Sequence, residues 1–165
     1  MSGFEPQVVA FCCNYCSYTA ADLAGSMRLD YPTNIKIIRV PCSGRITPIT
    51  LLGAFEAGAD GVYVAGCLDG DCHFMEGNFR AKQRMRYTKD LVAQAGLNPE
   101  RIEMFQVEAS NGPGFAEVAK DFTERIRKLG PTPIRTGQGT EWPSPQEDAK
   151  ADTSETVAEK KAASA

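Results

Sequence analysis

Short apolar runs alternate with longer amphipathic stretches along most of this chain. Each apolar run is rich in branched or aromatic side chains, which is typical of β-strands. We predict strands at residues 8–12, 35–40, 61–65 and 102–107. We predict helices at about residues 19–29, about 48–57, a stretch ending near residue 95, and about 115–129. Strands that alternate with helices predict an α/β fold, here a single domain with a four-stranded, mostly parallel sheet flanked by helices.

The second predicted helix has recognisable boundary residues. Thr47 precedes Pro48, and threonine is a good N-cap while proline fits the first helical position. Gly58 follows the apolar face that contains Leu51 and Phe55. Glycine is common just after a helix because it adopts positive φ angles, so we expect the helix to end there.

The composition changes after Gly130. Four of the ten prolines lie between Pro131 and Pro145, and the chain ends in a mixture of Ala, Glu, Lys, Ser and Thr. Such a segment buries too little apolar surface to offset its ordering entropy. We therefore predict a domain at residues 1–130 and a disordered, Pro-rich and then Ala/Glu/Lys-rich tail at residues 131–165. Trp142 is the exception in this tail, either an anchor on a partner or a loosely packed surface residue.

The composition also excludes several functional classes. A net charge of −3 and the lack of an aromatic-interleaved basic stretch argue against nucleic-acid binding. No apolar run has the length of a membrane span, and the first residues do not resemble a signal peptide, so we expect a cytoplasmic protein without a membrane span. With one histidine and no phosphate-binding loop, the sequence offers little for acid–base chemistry, and we expect no substrate turnover by this chain alone.

Five of the six cysteines follow the predicted strands. Cys13 and Cys16 form a C-x2-C pair after the first strand, Cys42 follows the second, and Cys67 and Cys72 follow the third. Because the carboxyl ends of parallel strands share one edge of the sheet, we expect these thiols to converge in one crevice. Cys12 is predicted to point to the opposite face of the first strand from Cys13 and to be a buried core residue.

A group of four or five thiols indicates a metal site. All-thiolate coordination suits zinc or an iron–sulfur cluster. Structural zinc usually takes ligands from two paired arms, whereas here one pair, one isolated thiol and one C-x4-C pair come from three strands. A [2Fe–2S] cluster takes four cysteines and is wider than a single ion, so the spread favours such a cluster and leaves one thiol spare.

Three other interpretations remain open at this point. A thiol–disulfide oxidoreductase would use Cys13 and Cys16 and would contain no metal. A structural protein would bind zinc only to hold the fold. In the last interpretation all five cysteines are simply buried core residues.

Arg45 and His73 are candidate neighbours of the centre. A guanidinium beside a negatively charged cluster would favour its reduced state, although Arg45 also fits an exposed turn. His73 follows Cys72 and is either a ligand, a proton-coupled neighbour or, as we prefer, a hydrogen-bonded loop residue. The basic residues from Arg80 to Lys89 form either a solvated helix face or a docking surface for an acidic protein or a nucleotide phosphate.

Three segments of the chain resemble a known family, the delta subunit of methyl-viologen-reducing (F420-non-reducing) hydrogenase. The resemblance spans about residues 7–130. The segments that carry it are Cys13-Asn14-Tyr15-Cys16-Ser17-Tyr18, Arg39-Val40-Pro41-Cys42-Ser43-Gly44-Arg45 and Gly66-Cys67 through Gly70-Asp71-Cys72-His73 to Glu76-Gly77-Asn78. Tyr15 stands where the family often has tryptophan, and the tail after Gly130 is longer than in many members.

The resemblance implies a small subunit that binds one [2Fe–2S] cluster through cysteines among Cys13, Cys16, Cys42, Cys67 and Cys72. It implies an electron relay between a hydrogenase or formate dehydrogenase and the flavin subunit of a heterodisulfide-reductase-type complex. On this basis we expect those larger redox subunits to be the partners of the chain.

Overall fold

The structure is a computed structural model, and it describes residues 3–137. Within this range the chain forms four strands: β1 (Val8–Cys13), β2 (Ile35–Val40), β3 (Gly61–Gly66) and β4 (Ile102–Gln106). The α-helices in the same range are α1 (Ser17–Ser26), α2 (Pro48–Glu56), α3 (Gly77–Gln94), α4 (Gly112–Leu129) and the short α5 (Pro133–Thr136). One-turn 3-10 helices occur at Ser43–Arg45 and Pro99–Arg101.

The four strands form one sheet in the order β2-β1-β3-β4, and every pairing is parallel. The predicted α/β fold is therefore confirmed. In the register of the sheet, Cys13 lies opposite Val40 and Cys12 lies opposite Ala65. The carboxyl ends of β1, β2 and β3 are thus level with one another, and the loops that carry the cysteines leave from the same edge.

Each face of the sheet packs against its own pair of helices. On one face, Ala10 and Tyr63 of the sheet pack with Phe115 and Phe122 of α4 and with the alanines of α1. Cys12 belongs to this core and is fully buried, so its predicted position on the opposite face from Cys13 is confirmed. The other face packs against α2 and α3 through a separate cluster of apolar side chains: Phe11, Val62, Val64, Leu51, Phe55, Met85 and Val92.

The residues that follow α4 are attached to the amino edge of the sheet. The fully buried carboxylate of Asp60 accepts hydrogen bonds from the Thr132 backbone N–H at 2.9 Å and from the Arg135 guanidinium. Arg101 donates to the carbonyl oxygens of Gly130 at 2.8 Å and Leu129 at 3.1 Å. These contacts hold residues 131–137 against the domain, although their composition places them in the predicted tail. Residues 138–165, including Trp142, lie outside the described residues.

Between residues 3 and 137, no helix combines the length and the apolar character needed to cross a membrane.

Candidate metal centre

Five cysteines converge at the carboxyl edge of the sheet. All five side chains are buried, and they form a cluster of their own, separate from the two apolar cores. The members of this cluster, called here the thiol cluster, are Cys13, Cys16, Cys42, Cys67 and Cys72. The parallel topology explains the convergence, because each member lies at a strand end or in the loop that follows.

Three members lie closest together. The sulfur atoms of Cys13, Cys16 and Cys67 are all within 4.8 Å of one another, and Cys13 Sγ lies 3.9 Å from Cys67 Sγ. All five thiols of the cluster are free in the structure. The three sulfurs are therefore spaced closely enough to bind a common inorganic centre.

The other two members, Cys42 and Cys72, lie close to Gly77, the first residue of α3. A β-carbon on Gly77 would overlap Cys42 Sγ and would lie 3.1 Å from Cys72 Sγ. Gly44 is also closely packed, since a β-carbon there would lie 2.7 Å from Gly77 Cα. The two glycines thus let the backbone of the Ser43–Arg45 turn and the start of α3 approach the sulfurs directly.

The loop between β3 and α3 is held by two amide side chains. Asn78 is fully buried, and its Nδ2 donates to the Leu68 carbonyl oxygen at 2.7 Å. Gln106, the last residue of β4, donates through Nε2 to the Cys67 carbonyl oxygen at 3.1 Å. These bonds fix the loop that carries Cys67 and Cys72.

Hydrogen-bond donors face the sulfurs and favour the thiolate form at two positions. The Cys16 thiol lowers the pKa of Cys13 against the effect of burial, with help from the backbone N–H groups of Tyr15 and Ser43. Burial acts to raise the pKa of Cys72, but the backbone N–H groups around it, chiefly that of Asn78, outweigh burial and the net pKa is lowered.

The other three sulfurs of the thiol cluster have raised pKa values. Burial raises the pKa of Cys42, although the Gly44 N–H donates to its Sγ at 3.4 Å. Donation to Cys13 raises the pKa of Cys16, and burial raises that of Cys67. Cys12, in the apolar core, has its pKa raised by burial to about 12, so it is a poor ligand because metals bind the thiolate.

The donor set fits an iron–sulfur centre. The cluster offers five soft sulfur ligands, which suit zinc or iron–sulfur clusters better than hard cations. A single tetrahedral ion takes four ligands, and the thiol cluster has five members. Three of them lie close together, and the other two, Cys42 and Cys72, lie beside Gly77. At Gly77 the sulfur of Cys42 occupies the position that a β-carbon would take, so the two sulfurs can lie against the backbone of α3.

Arg45 and His73 are both exposed, unlike the five buried thiols. His73 is exposed, and its ring stacks on Tyr15 with a centroid distance of 3.9 Å and an interplanar angle of 12°. Phe74 contacts both rings edge-on. Arg45 is exposed and lines a cavity beside Cys42. The His73 stack joins the loop between Cys13 and Cys16 to the loop after Cys72.

Most basic side chains of α3 are paired with groups in other parts of the domain or within the helix. Arg84 donates through Nη1 to the carbonyl oxygens of Gly44 and, at 3.0 Å, of Ile46. Lys82 pairs with Asp69 at 2.6 Å and Lys89 with Glu103 at 2.9 Å. Arg84 therefore holds the turn after Cys42, a role that the sequence pattern alone does not indicate.

A cavity of about 620 Å³ opens beside Cys42. Its lining includes Arg45, Phe74, Met75, Gly77 and Arg80. The Phe74 side chain is 51% exposed and Met75 is 82% exposed. This edge of the molecule therefore combines a nearby group of thiols with exposed apolar side chains.

Comparison with known proteins agrees with this arrangement. Residues 8–130 match the family described as methyl-viologen-reducing hydrogenase, delta subunit. The iron-sulfur subunit of the F420-non-reducing hydrogenase of Archaeoglobus profundus is 48% identical over 128 residues, which cover 78% of this chain and 93% of the relative. The vhu iron-sulfur subunit of the F420-non-reducing hydrogenase of Methanococcus maripaludis is 43% identical over 131 residues, covering 79% and 98%.

A second kind of relative is much longer. In Methanosarcina mazei, one subunit of the ferredoxin:CoB-CoM heterodisulfide reductase is 46% identical over 126 residues, which cover 76% of this chain but 16% of that protein. The matched region thus occurs both as nearly the whole of a small subunit and as a small part of a large one. The resemblance drawn from the sequence is confirmed, and this chain belongs to the family of methyl-viologen-reducing hydrogenase delta subunits.

Proposed function

We propose that this chain is an electron-transfer subunit that holds one [2Fe–2S] cluster at the carboxyl edge of its sheet. The observation that carries the proposal is the convergence of five buried thiols from three strand ends and their loops. Four of Cys13, Cys16, Cys42, Cys67 and Cys72 would bind the cluster, and the fifth would lie beside it. When bound, such a cluster takes up and releases single electrons.

The surrounding residues would set the properties of the centre. Backbone N–H groups of Tyr15, Ser43, Gly44 and Asn78 face sulfur atoms and stabilise negative charge on them. Hydrogen bonds to cluster sulfurs generally raise the reduction potential. The burial of the five thiols limits the access of water to the sulfur atoms, and the cavity beside Cys42 is the open approach to them.

The relatives support a relay between larger redox subunits. Several are named as hydrogenase iron-sulfur subunits, and one contains the matched region within a longer heterodisulfide reductase polypeptide. We therefore propose that electrons pass from a hydrogenase or formate dehydrogenase module to the flavin subunit of a heterodisulfide-reductase-type complex.

The edge around Phe74 and Met75 is the surface we assign to the flavin subunit. These exposed apolar side chains line the cavity that reaches Cys42, so a protein seated there would approach the thiol cluster closely. The partner would need an apolar centre to cover these side chains, because burial of exposed apolar area drives association.

A thiol–disulfide oxidoreductase is the second candidate. It is favoured by the lowered pKa of Cys13 beside Cys16 at the start of α1, an arrangement found in reactive dithiols. This function would require only the Cys13/Cys16 pair, and it leaves the convergence of Cys42, Cys67 and Cys72 without a role.

The deciding experiment is iron, sulfide and zinc analysis of anaerobically purified protein, with an EPR spectrum after dithionite reduction. Two irons and two sulfides per chain with an S = 1/2 signal are expected for the [2Fe–2S] carrier. Protein that stays metal-free after anaerobic reconstitution would favour the dithiol. Stoichiometric zinc without a redox response would make the site structural.

A further inference from the structure

The hydroxyl group of Ser43 is a buried hydrogen-bond donor without a partner. Ser43 is 0% exposed, and its Oγ makes no hydrogen bond within residues 3–137. A buried hydroxyl is costly when it is unpaired, so such a group in a native structure needs an explanation, for example a bound water or ion or a redox role.

Ser43 lies where three cysteine-bearing segments meet. It follows Cys42 directly and begins the 3-10 turn after β2. Its backbone N–H contributes to the lowered pKa of Cys13. A β-carbon on Gly66, the residue before Cys67, would lie 3.1 Å from Ser43 Oγ. Ser43 therefore lies where the ends of β1, β2 and β3 meet, and its unpaired hydroxyl is close to the end of β3.

The other unpaired buried polar atoms in the described part of the chain lie elsewhere. Tyr63 packs in the apolar core against α4, Thr123 is on α4, and Asn34 precedes β2 at the amino edge of the sheet. Among these unpaired groups, Ser43 alone is adjacent in sequence to one of the five thiols. The other three groups are therefore not placed to donate to a ligand that the thiol cluster binds.

Ser17 provides an internal comparison. Like Ser43, it is fully buried and follows a cysteine of the thiol cluster, Cys16. Its Oγ donates to the Ala65 carbonyl oxygen at 2.6 Å. The Ser17 hydroxyl is thus already used within the protein, whereas the Ser43 hydroxyl remains available.

We propose that the Ser43 hydroxyl donates a hydrogen bond to a sulfur atom of the iron–sulfur cluster, either an inorganic sulfide or a bound cysteine sulfur. This inference rests on the function proposed above. Reduction adds one electron to the cluster, and a donated hydrogen bond stabilises the more negative reduced state more than the oxidised state. Ser43 is therefore a residue that raises the reduction potential of the centre without ligating it.

The test compares the Ser43→Ala and Ser17→Ala variants with the unaltered chain, all anaerobically reconstituted. Iron and sulfide content is measured first, and the reduction potential is then determined by an EPR-monitored redox titration. We expect Ser43→Ala to keep the cluster and to lower its reduction potential. The equilibrium constant for one-electron reduction should fall about three- to tenfold, where tenfold corresponds to about 59 mV. Proton ENDOR in H₂O and D₂O is expected to lose one exchangeable coupling in this variant.

Ser17→Ala is expected to keep both the potential and the exchangeable couplings. The melting temperature of the metal-free protein should respond in the opposite order, with an effect for Ser17→Ala and none for Ser43→Ala. Ser17→Ala loses the bond to Ala65 and melts at a lower temperature, whereas Ser43→Ala removes an unpaired hydroxyl and does not lower the melting temperature.

A cluster-loaded Ser43→Ala protein with an unchanged potential and unchanged ENDOR couplings would overturn the role of Ser43 and leave the electron carrier intact. An unaltered chain that binds no iron and sulfide would overturn both proposals. If Ser43→Ala does not load, Ser43→Gly removes the same hydroxyl and keeps the backbone N–H, and the same fall in potential is expected. Failure of both variants to load would assign Ser43 to assembly of the site and overturn its role in tuning.

Discussion

Gly77 Cα lies so close to Cys42 Sγ that a β-carbon on residue 77 would overlap the sulfur. The first residue of α3 therefore forms a wall of the thiol cluster with its backbone alone. Because Gly44 contacts Gly77 in turn, the turn after Cys42 and the start of α3 are fitted to each other across a gap of 33 residues in the sequence, from 44 to 77.

Gly77→Ala is expected to lose most of its cluster. The added methyl group must displace the sulfur of Cys42 or the start of α3, since backbone on the other side leaves little room for relaxation. Iron and sulfide content after anaerobic reconstitution is the measurement. Gly53→Ala is the matched control, because Gly53 lies within α2 with nothing inside 4 Å of a new β-carbon. That variant should load fully and gain about 1 kcal/mol in free energy of unfolding.

Alanine substitution of each member of the thiol cluster should separate four ligands from one spare thiol. Four of the five single variants are expected to lose iron or to change the EPR spectrum, and one is expected to keep both. Cys12→Ala is the control, since Cys12 lies in the core against α1 and α4. It should bind the cluster normally and lose about 1 kcal/mol of free energy of unfolding, the usual scale for a small core change. Five variants with unchanged iron content would contradict the assignment of the site.

The convergence of the thiols can be predicted from the sequence because it depends only on strand order along the chain and on parallel pairing. Once β1, β2 and β3 lie parallel, Cys13, Cys42 and Cys67 must leave from the same edge. The start of α2 can also be predicted from the sequence, since Thr47 accepts a hydrogen bond from the Thr50 N–H and Pro48 is the first helical residue. In both cases the signal is local, since each cysteine ends or follows its own strand and Thr47 and Pro48 mark the start of α2.

Helix α1 shows where local signals are insufficient. The sequence predicts it at about residues 19–29, but it spans Ser17–Ser26. It begins directly after Cys16, which makes no side-chain capping bond, and it ends before Arg28, whose φ of 55° leaves the helical region. With no side-chain cap at its start, the helix lacks the residue that would mark this boundary in the sequence.

The residues that surround the thiol cluster cannot be assigned from the sequence, because their roles depend on contacts between distant segments of the chain. In the sequence Arg84 is one member of a basic run, and Ser43 and Gly77 are only neighbours of other candidate residues. Their roles depend on contacts between segments far apart in the chain, such as the bond from Arg84 to the Gly44 carbonyl 40 residues away. Neither hydrophobic periodicity nor residue spacing predicts a contact of this kind.

Arg84→Met is expected to loosen the turn after Cys42. The variant loses the guanidinium bonds to the carbonyl oxygens of Gly44 and Ile46, and a hydrogen bond from a charged donor to a buried acceptor contributes about 1.5–3 kcal/mol. Denaturant unfolding of the metal-free protein measures the loss of stability, and iron release to a chelator should be faster. Arg86→Met removes an exposed arginine from the same helix and should change neither quantity. Equal behaviour of the two variants would contradict the role of Arg84.

Met75→Glu is expected to weaken binding of the flavin subunit proposed above as a partner, while the proposed cluster stays unchanged. Met75 is 82% exposed and lines the cavity beside Cys42, so a carboxylate there would have to be desolvated when a partner covers this edge. Surface-based binding measurements with the purified partner should show a loss of affinity of at least about tenfold, which is about 1.4 kcal/mol. The EPR spectrum and iron content should match those of the unaltered chain.

Met27→Glu is the matched control for this surface. Met27 is also exposed, but it follows the last residue of α1, and α1 runs back from the thiol cluster towards the amino edge of the sheet. The same change of side chain at the opposite edge should leave the affinity within about twofold. An equal loss of affinity for both variants would indicate a general effect of added negative charge, and a loss for Met27→Glu alone would move the docking surface to the amino edge.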